Sequence, residues 1–309
     1  MAIILYDDVF LEHNTGSGHP ENAQRLLNTT KYLKSTGLWS KTRLVKPAKS
    51  TIENINVVHD KKYIDQVELL SEKGGGMVDP DTVVSSNSFK AALFAAGAGI
   101  TAIDNVMDGS CKSAFCLVRP PGHHAIPLRG MGFCLFNNIA VSVKYLQSKY
   151  KIERILIVDW DVHHGNGTQD VFYDDPSVLF FSIHRYPFYP GSGSEMEKGN
   201  GSGYGYTINV PLSYGIESAE YISKFKEVID GKAKEFSPQF IIISAGFDAY
   251  IDDPVGGLGL EISDFADLNK IVVELAKECC ESRIVSCLEG GYNLTDLPKC
   301  IEAHLGALP

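Results

Sequence analysis

The stretch Asp159–Thr168 carries residues that can bind a metal ion, and it follows directly on an apolar run. Its sequence is Asp-Trp-Asp-Val-His-His-Gly-Asn-Gly-Thr, and Arg154–Val158 before it is predicted to be a buried strand. Because strand side chains alternate with a period of two, Asp159, Asp161 and His163 should project to one side. Burying these charged and polar side chains without a partner would cost on the order of several kcal/mol of folding free energy. A cation would offset that cost, so we predict a metal site here. The alternative is a polar strand end entering a glycine-rich turn.

Asp248 is the candidate third metal ligand, because it follows another apolar run, Phe240–Ser244. Two carboxylates and one imidazole leave coordination positions open, which is the layout of a catalytic metal site. Zinc is the predicted ion, and such a carboxylate-rich set also accepts iron(II) or cobalt(II). The alternative for Asp248 is an ordinary helix N-cap.

Adjacent histidines follow a third apolar run and could move protons. His123 and His124 lie in a Pro-Pro-Gly loop, where they could act as a general base and a second proton donor. Asp159 is the candidate carboxylate behind His123, where it would fix the tautomer of the ring. The alternative for this pair is a surface loop.

Tyr292 follows a fourth apolar run and two glycines, Gly290 and Gly291. Its hydroxyl could donate to an oxyanion that develops opposite the metal, although a lone tyrosine is more often an ordinary half-buried side chain. Taken together, the four groups predict metal-assisted hydrolysis of an amide.

The elements that must position these residues alternate along the chain. The predicted strands are Ile3–Tyr6, Ser113–Val118, Arg154–Val158, Val178–Ile183, Tyr206–Val210, Phe240–Ser244 and Ile284–Leu288. The predicted helices are Pro20–Gly37, Asp60–Glu72, Ser86–Met107, Asn138–Ser148, Thr168–Tyr173, Glu217–Phe236, Ile262–Cys280 and Leu294–Leu305. This alternation predicts an α/β fold with an open, mostly parallel sheet and helices on both faces. Sites in such sheets form at the carboxyl ends of the strands. No break in composition divides residues 1–309, so we expect a single domain.

The composition is that of an ordinary globular protein, with 44% hydrophobic and 21% charged residues in a chain of 309. A net charge of −10 argues against nucleic-acid binding. The absence of a run of about 18 apolar residues predicts no membrane span. Seven scattered cysteines, no CxxC pair and no N-terminal signal pattern predict reduced thiols in a cytoplasmic protein.

The motifs together resemble those of the histone deacetylase and acetylpolyamine amidohydrolase family, and its class II branch in particular. They occur in the family's order, at Arg119–His124, Gly132–Cys134, Asp159–Thr168, Ser244–Asp248 and Glu289–Tyr292. The resemblance implies a single-domain arginase/deacetylase-like fold with a central sheet of about eight strands. It also implies zinc on the predicted triad and removal of acetyl or other short acyl groups from lysine side chains of proteins or peptides.

The resemblance implies further site residues. A structural potassium ion would take oxygens from Asp159, Asp161, His163, Ser182 and His184, and a second monovalent site would use the carbonyls of Phe172, Asp175 and Val178. The substrate tunnel would involve Gly132, Phe133, Tyr189, Val255, Gly290 and Gly291. Arg25 matches an arginine near an internal cavity beyond the metal. Asn166 stands where class I members have an acid, which should leave the pKa of His124 lower than a carboxylate would.

Three alternatives remain at this stage. Val255 stands where a polyamine-selective branch carries Glu, which favours acyl-lysine in a protein or peptide, while the acidic net charge favours a small acylated amine. A dinuclear manganese ureohydrolase would need an acid two residues beyond Asp248, where this chain has Tyr250. A non-catalytic acyl-lysine binding module would be expected to lose a ligand or Tyr292. The sequence leaves the oligomeric state open.

Overall fold

A parallel sheet of eight strands runs through the protein, which a computed structural model describes over residues 2–309. The strands among these described residues are β1 (Ile3–Leu5), β2 (Leu44–Val45), β3 (Gly75–Asp79), β4 (Thr82–Ser85), β5 (Ser113–Cys116), β6 (Ile155–Asp159), β7 (Val178–Arg185), β8 (Thr207–Leu212), β9 (Phe240–Ala245) and β10 (Ile284–Leu288). Eight of them pair in the order β2-β1-β5-β10-β9-β6-β7-β8, and β3 and β4 form a separate antiparallel hairpin.

Helices surround the sheet. They are α1 (Gln24–Ser35), α2 (Leu38–Lys41), α3 (Ile52–Asn56), α4 (Lys61–Glu72), α5 (Ser88–Met107), α6 (Asn138–Tyr150), α7 (Asn166–Phe172), α8 (Ser218–Val228), α9 (Lys234–Phe236), α10 (Ile262–Cys279) and α11 (Leu297–Ala307). Short 3₁₀ turns occupy Asp8–Glu12 and Gly201–Gly203. Side-chain caps fix several starts; the Asn137 side chain, for example, accepts from Ala140 N at 2.9 Å ahead of α6.

The central strands are mostly apolar because both faces of the sheet are covered. Every residue of β5, β6, β9 and β10 is buried. Continuous β-branched runs of this kind are typical of parallel strands between two helical layers. The predicted fold class is therefore confirmed, and the carboxyl ends of these four strands lie side by side.

Several predicted helix boundaries are wrong, each for a local reason. The first helix begins at Gln24, not at Pro20, because the Asn22 side chain caps Gln24 N at 2.9 Å. The last begins at Leu297, after the Asn293 side chain has accepted from Thr295 N and Asp296 N. The predicted helix Glu217–Phe236 is interrupted by a π-helical turn at Ile229–Ala233. The helix predicted to reach Cys280 ends at Cys279.

The hairpin of β3 and β4 is absent from the predictions. The three glycines after α4 end that helix as expected, but two of them then enter β3. The turn between the strands contains Pro80 and Asp81, and β4 is only four residues long. Glycine in a short strand weakens the alternating pattern by which strands are recognised. The two-residue edge strand β2 was missed because it is too short to show a pattern.

Helix α5 is the longest in the protein and approaches its neighbours closely. Ser50 N donates to Leu93 O at 3.0 Å, so a backbone segment lies directly against the helix. A Cβ at Gly97 would overlap Ala48 O and lie 2.7 Å from Ser50 N. Although α5 is rich in alanine, no helix within residues 2–309 is long and apolar enough to cross a membrane. All seven cysteines are free.

Gly97→Ala should therefore destabilise the protein, although alanine is the better helix former. We expect the free energy of unfolding to fall by about 1–3 kcal/mol, as in other overpacked cores. Gly231→Ala is the matched control, because a Cβ there meets nothing within 4 Å. It should raise stability by about 0.4–1 kcal/mol. Denaturant unfolding measures both changes, and equal effects would refute the close approach.

Candidate active site

Loops from the carboxyl ends of β5, β6, β9 and β10 meet at one edge of the sheet. Backbone N–H groups of one loop donate to buried carboxylates of another. The linking hydrogen bonds are Gly290 N to Asp161 Oδ2 (2.8 Å), Val162 N to Asp248 Oδ1 (2.9 Å) and Gly122 N to Glu289 Oε2 (2.7 Å). Each carboxylate thus both belongs to the site and fixes the loop beside it.

Asp161, His163 and Asp248 form a buried cluster in which the possible ligand atoms all lie within 4.8 Å of one another. The Nδ1 atom of His163 is 3.0 Å from Asp161 Oδ1 and 3.1 Å from Asp248 Oδ2. Burial alone would lower the pKa of His163, but the two carboxylates raise it to about 9. Burial and the charge of Asp161 raise the pKa of Asp248 to about 7. The two carboxylates of the cluster therefore carry more negative charge than the single histidine can balance.

These three residues fit a divalent cation. Two carboxylates share a single imidazole in a buried place, and a cation would satisfy both. The surroundings leave no room for extra side chains: a Cβ at Gly290 would lie 2.5 Å from Asp161 Oδ2, and one at Gly246 would lie equally close to Asp161 Cα. A donor set of two oxygens and one nitrogen suits zinc, iron(II) or cobalt(II).

The two histidines are held differently. His123 Nδ1 lies 2.9 Å from Asp159 Oδ2, whereas His124 Nδ1 lies 2.7 Å from the amide oxygen of Asn166. Burial would lower the pKa of His123, but the charges of Asp159 and Asp161 raise it to about 10. Burial and the neighbouring imidazoles lower the pKa of His124 well below its usual value. The surroundings therefore favour the protonated form of His123 and the neutral form of His124.

Tyr292 is oriented from three directions. Its N–H donates to Asp253 Oδ2 at 2.6 Å, and Gly291 before it has a φ of 117°, a left-handed conformation that favours glycine. The Arg25 guanidinium lies 4.9 Å from the centre of the tyrosine ring. Arg25 also donates to the carbonyls of Gly291 and Glu289, each at 2.6 Å. Burial raises the pKa of Tyr292, so its hydroxyl keeps its proton as a donor.

Arg25 is in turn fixed by Glu21, a residue that sequence reasoning did not identify. The Oε1 atom of Glu21 lies 3.1 Å from Arg25 Nη1, and the carboxylate forms a two-pronged ion pair with Arg119. All three side chains are fully buried. Burial would raise the pKa of Glu21, but the two guanidinium groups lower it to about 2. Glu21 thus links Arg25, which lies in α1, to Arg119 at the start of the loop that carries His123 and His124.

A cavity of about 220 Å³ opens onto these groups. It is lined by Asp81, His124, Gly132, Phe133, His163, Phe188, Tyr189, Val255 and Tyr292. Four of the six residues predicted for a tunnel are among them. The other two, Gly290 and Gly291, are not: Gly290 lies against Asp161 and Asp248, and Gly291 lies against Phe247 and Leu297.

Two lining residues were missed by sequence reasoning. Phe188 stacks on His163, with ring centres 5.1 Å apart and planes 14° apart; its neighbour Tyr189 was the aromatic chosen from the resemblance. Asp81 lies in the turn of the unpredicted hairpin, and its carboxylate accepts from Gly132 N at 3.1 Å. The aromatic pair beside a proline was a usable signal for Phe188. Nothing in the local sequence marked Asp81.

The residues predicted to bind potassium are close to one another in two groups. Asp159 and Ser182 are neighbours across β6 and β7, and Ser182 Oγ is 2.9 Å from His184 Nδ1. In the second group, Asp175 N donates to Phe172 O at 3.0 Å, and Val178 N donates to Asp175 O at 3.2 Å. The two potassium sites stay predictions.

The comparisons with known proteins identify the family to which this fold belongs. Residues 19–308 match the family described as "Histone deacetylase domain". The chain therefore belongs to the histone deacetylase family, as the motifs predicted.

Known relatives cover most of the chain. A "Probable deacetylase" of Archaeoglobus fulgidus is 42% identical over 293 residues, which is 94% of this chain and 81% of that protein. "Histone deacetylase 9" of Homo sapiens is 39% identical over 342 residues, which is 99% of this chain but only 33% of the human protein. The crystal structure of the "HDA15 HD domain" superposes with a TM-score of 0.94 at 36% identity, over 99% of this chain and 87% of that one.

The metal cluster predicts that Asp161→Ala and Asp248→Ala lose a bound divalent ion that the unmodified protein retains. Each removes a carboxylate from a set of three protein ligands, so the remaining two groups should bind weakly. Elemental analysis after dialysis measures the ion per chain. Glu220→Ala is the control, because that carboxylate is exposed on α8. One ion per chain in either aspartate variant would rule out that residue as a ligand.

Proposed function

We propose that the protein is a zinc-dependent amidohydrolase that removes acetyl or other short acyl groups from lysine side chains of proteins or peptides. The observation that carries the proposal is the convergence of a buried metal-ligand triad, a neutral histidine and a protonated tyrosine on one cavity. These are the parts that metal-assisted hydrolysis of an amide requires. Family membership supports the same reaction class.

A zinc ion held by Asp161, His163 and Asp248 would polarise the carbonyl of the scissile amide. His124 accepts the proton of the attacking water on Nε2, because Asn166 occupies its other nitrogen. The same histidine then returns that proton to the departing amine. His123, kept as an imidazolium by Asp159, supplies fixed positive charge beside the developing negative charge.

Tyr292 donates a hydrogen bond from its hydroxyl group to the oxyanion that forms from the carbonyl, and it keeps its proton. Its position is fixed before the substrate arrives, since Asp253 holds its backbone and Arg25 lies against its ring. Preorganised donors of this kind need no rearrangement during the reaction. The aromatic rings of Phe133, Phe188 and Tyr189 give the cavity walls that suit the methylene chain of a lysine and exclude water around it.

An acetylated polyamine is the second candidate substrate, because an acidic residue does line the cavity. Asp81 lines the same cavity as Val255, where the polyamine-selective branch carries an acid. The nearby Asp79 is 3.7 Å from Arg129 Nη1, so its charge is already paired. The Asp81 carboxylate could pair with the distant ammonium of a polyamine or accept from a backbone N–H of a peptide.

The proposal is tested by comparing kcat/KM on an acetyl-lysine peptide and on an N-acetylated polyamine with one zinc-loaded preparation. We expect turnover of the peptide to be preferred, and Tyr292→Phe to lower kcat by about a hundredfold or more, as for other lost oxyanion donors. Tyr292→Phe should keep its zinc, which elemental analysis checks. A preference for the polyamine would support the second candidate. Turnover of neither substrate would contradict both.

The pKa of His124 gives a prediction about pH. His124 must be unprotonated to act as the base, and its pKa is lowered well below the usual value for histidine. As the pH falls, kcat/KM should therefore decline only when the pH becomes low enough to protonate His124. In Asn166→Asp, a carboxylate would stabilise the imidazolium and raise the pKa of His124, so the acid limb of the kcat/KM profile should move to higher pH by about 1–3 units.

The control for this shift is Asn56→Asp, an equal charge change at an exposed position. Its profile should match that of the unmodified protein. An acid limb in Asn166→Asp that does not move, with activity retained at neutral pH, would show that Asn166 does not set the basicity of His124.

A further inference from the structure

Four side chains form a continuous stack from the metal cluster to the protein surface. His163 stacks on Phe188 at 5.1 Å between ring centres. The guanidinium carbon of Arg185 lies 4.1 Å from the centre of the Phe188 ring and 4.5 Å from the centre of the Tyr214 ring. Tyr214 is 73% exposed, so the outermost layer of the stack faces solvent.

Arg185 also links the backbone segments around this stack. It is the last residue of β7, and its N–H donates to Val162 O at 2.9 Å, directly before His163 in the chain. The Nη1 group of Arg185 donates to the carbonyl oxygen of Gly256 at 3.2 Å, and Gly256 is the residue that follows Val255 in the chain. Arg185 thus contacts three segments around the cavity. They contain the proposed metal ligand His163, the aromatic residue Phe188 and the apolar lining residue Val255.

We propose that Arg185 is a positioning residue that holds Phe188 flat against His163 and thereby sets both the plane of that imidazole and the width of the acyl cavity. The predicted effect of Arg185 on substrate binding rests on the proposed function. Its predicted effect on metal affinity does not depend on that function. Phe188 lies in the loop between β7 and β8, where few ladder hydrogen bonds restrain it. A flat cation on its outer face restrains the ring by attraction.

Arginine suits this place for a physical reason. A guanidinium is planar and weakly hydrated, so it can stack between two rings while its edge still donates to a carbonyl. A lysine ammonium would be more strongly hydrated and, as a point charge, could not stack on two rings at once. Tyr214 completes the arrangement because it shields the outer face of the guanidinium from water, which strengthens the attraction to Phe188.

The stack predicts a change in substrate binding from a substitution at the surface. Tyr214→Ala should raise KM for an acyl-lysine peptide by about twofold to fivefold and leave kcat nearly unchanged, since one exposed cation–π layer is lost. Arg185→Gln should raise KM further and weaken zinc binding about tenfold, at the low end for residues that orient metal ligands. Arg185→Lys should recover little, and Tyr214→Phe should behave like the unmodified protein.

Zinc affinity, measured by competition with a chromophoric chelator, gives a readout that does not need turnover. Tyr204→Ala is the matched control, since Tyr204 is also a largely exposed tyrosine and lies outside the stack. The proposal is overturned if Tyr214→Ala and Tyr204→Ala have the same KM, or if Arg185→Gln binds zinc like the unmodified protein. If no acyl-lysine substrate is turned over by the unmodified protein, the proposed function fails, and the zinc affinities still decide the role of Arg185.

Discussion

Negative charge buried at the carboxyl edge of the sheet is the constraint on which the site depends. Four carboxylates, those of Asp159, Asp161, Asp248 and Glu289, are almost completely buried there. Backbone N–H groups satisfy some of their lone pairs, and His123 supplies one positive charge. Burial still raises the pKa of Asp248 and of Glu289 to about 7, so the histidine charge does not balance the set. A site built in this way gains stability when it binds a cation, and metal binding and folding are therefore coupled.

The convergence of the candidate site could be predicted from the sequence because each of its residues lies within a few positions of an apolar strand. Asp161 and Asp248 are far apart in the chain, but each follows a strand of the same parallel sheet, and such ends meet at one edge. Fold class followed from the same alternation of strands and helices. The pairing of His123 with Asp159 could be anticipated from the residue types, whereas that of His124 with Asn166 followed only from the resemblance.

Other residues that hold the candidate catalytic groups in place could not be predicted, because they come from distant segments with no local pattern. Glu21 and Arg119 are 98 residues apart and meet only through the fold. Asp81 reaches the cavity on a hairpin whose strands are too short and too rich in glycine to be recognised. The choice between Phe188 and Tyr189 was a choice between adjacent residues on an irregular loop, where no periodicity fixes the direction of a side chain.

The chemistry and the choice of substrate depend on different parts of this protein. The catalytic groups lie among buried hydrogen bonds and ion pairs, in which the loss of one partner leaves another charge unpaired. The cavity is also lined by Asp81, Val255 and Tyr189, which lie on three separate loops. Under the proposed function, a substitution at one of these positions would change which amine fits and leave the charges around the triad intact. Arg185 is the exception, because it contacts both parts, so a change there should alter substrate fit and metal binding together.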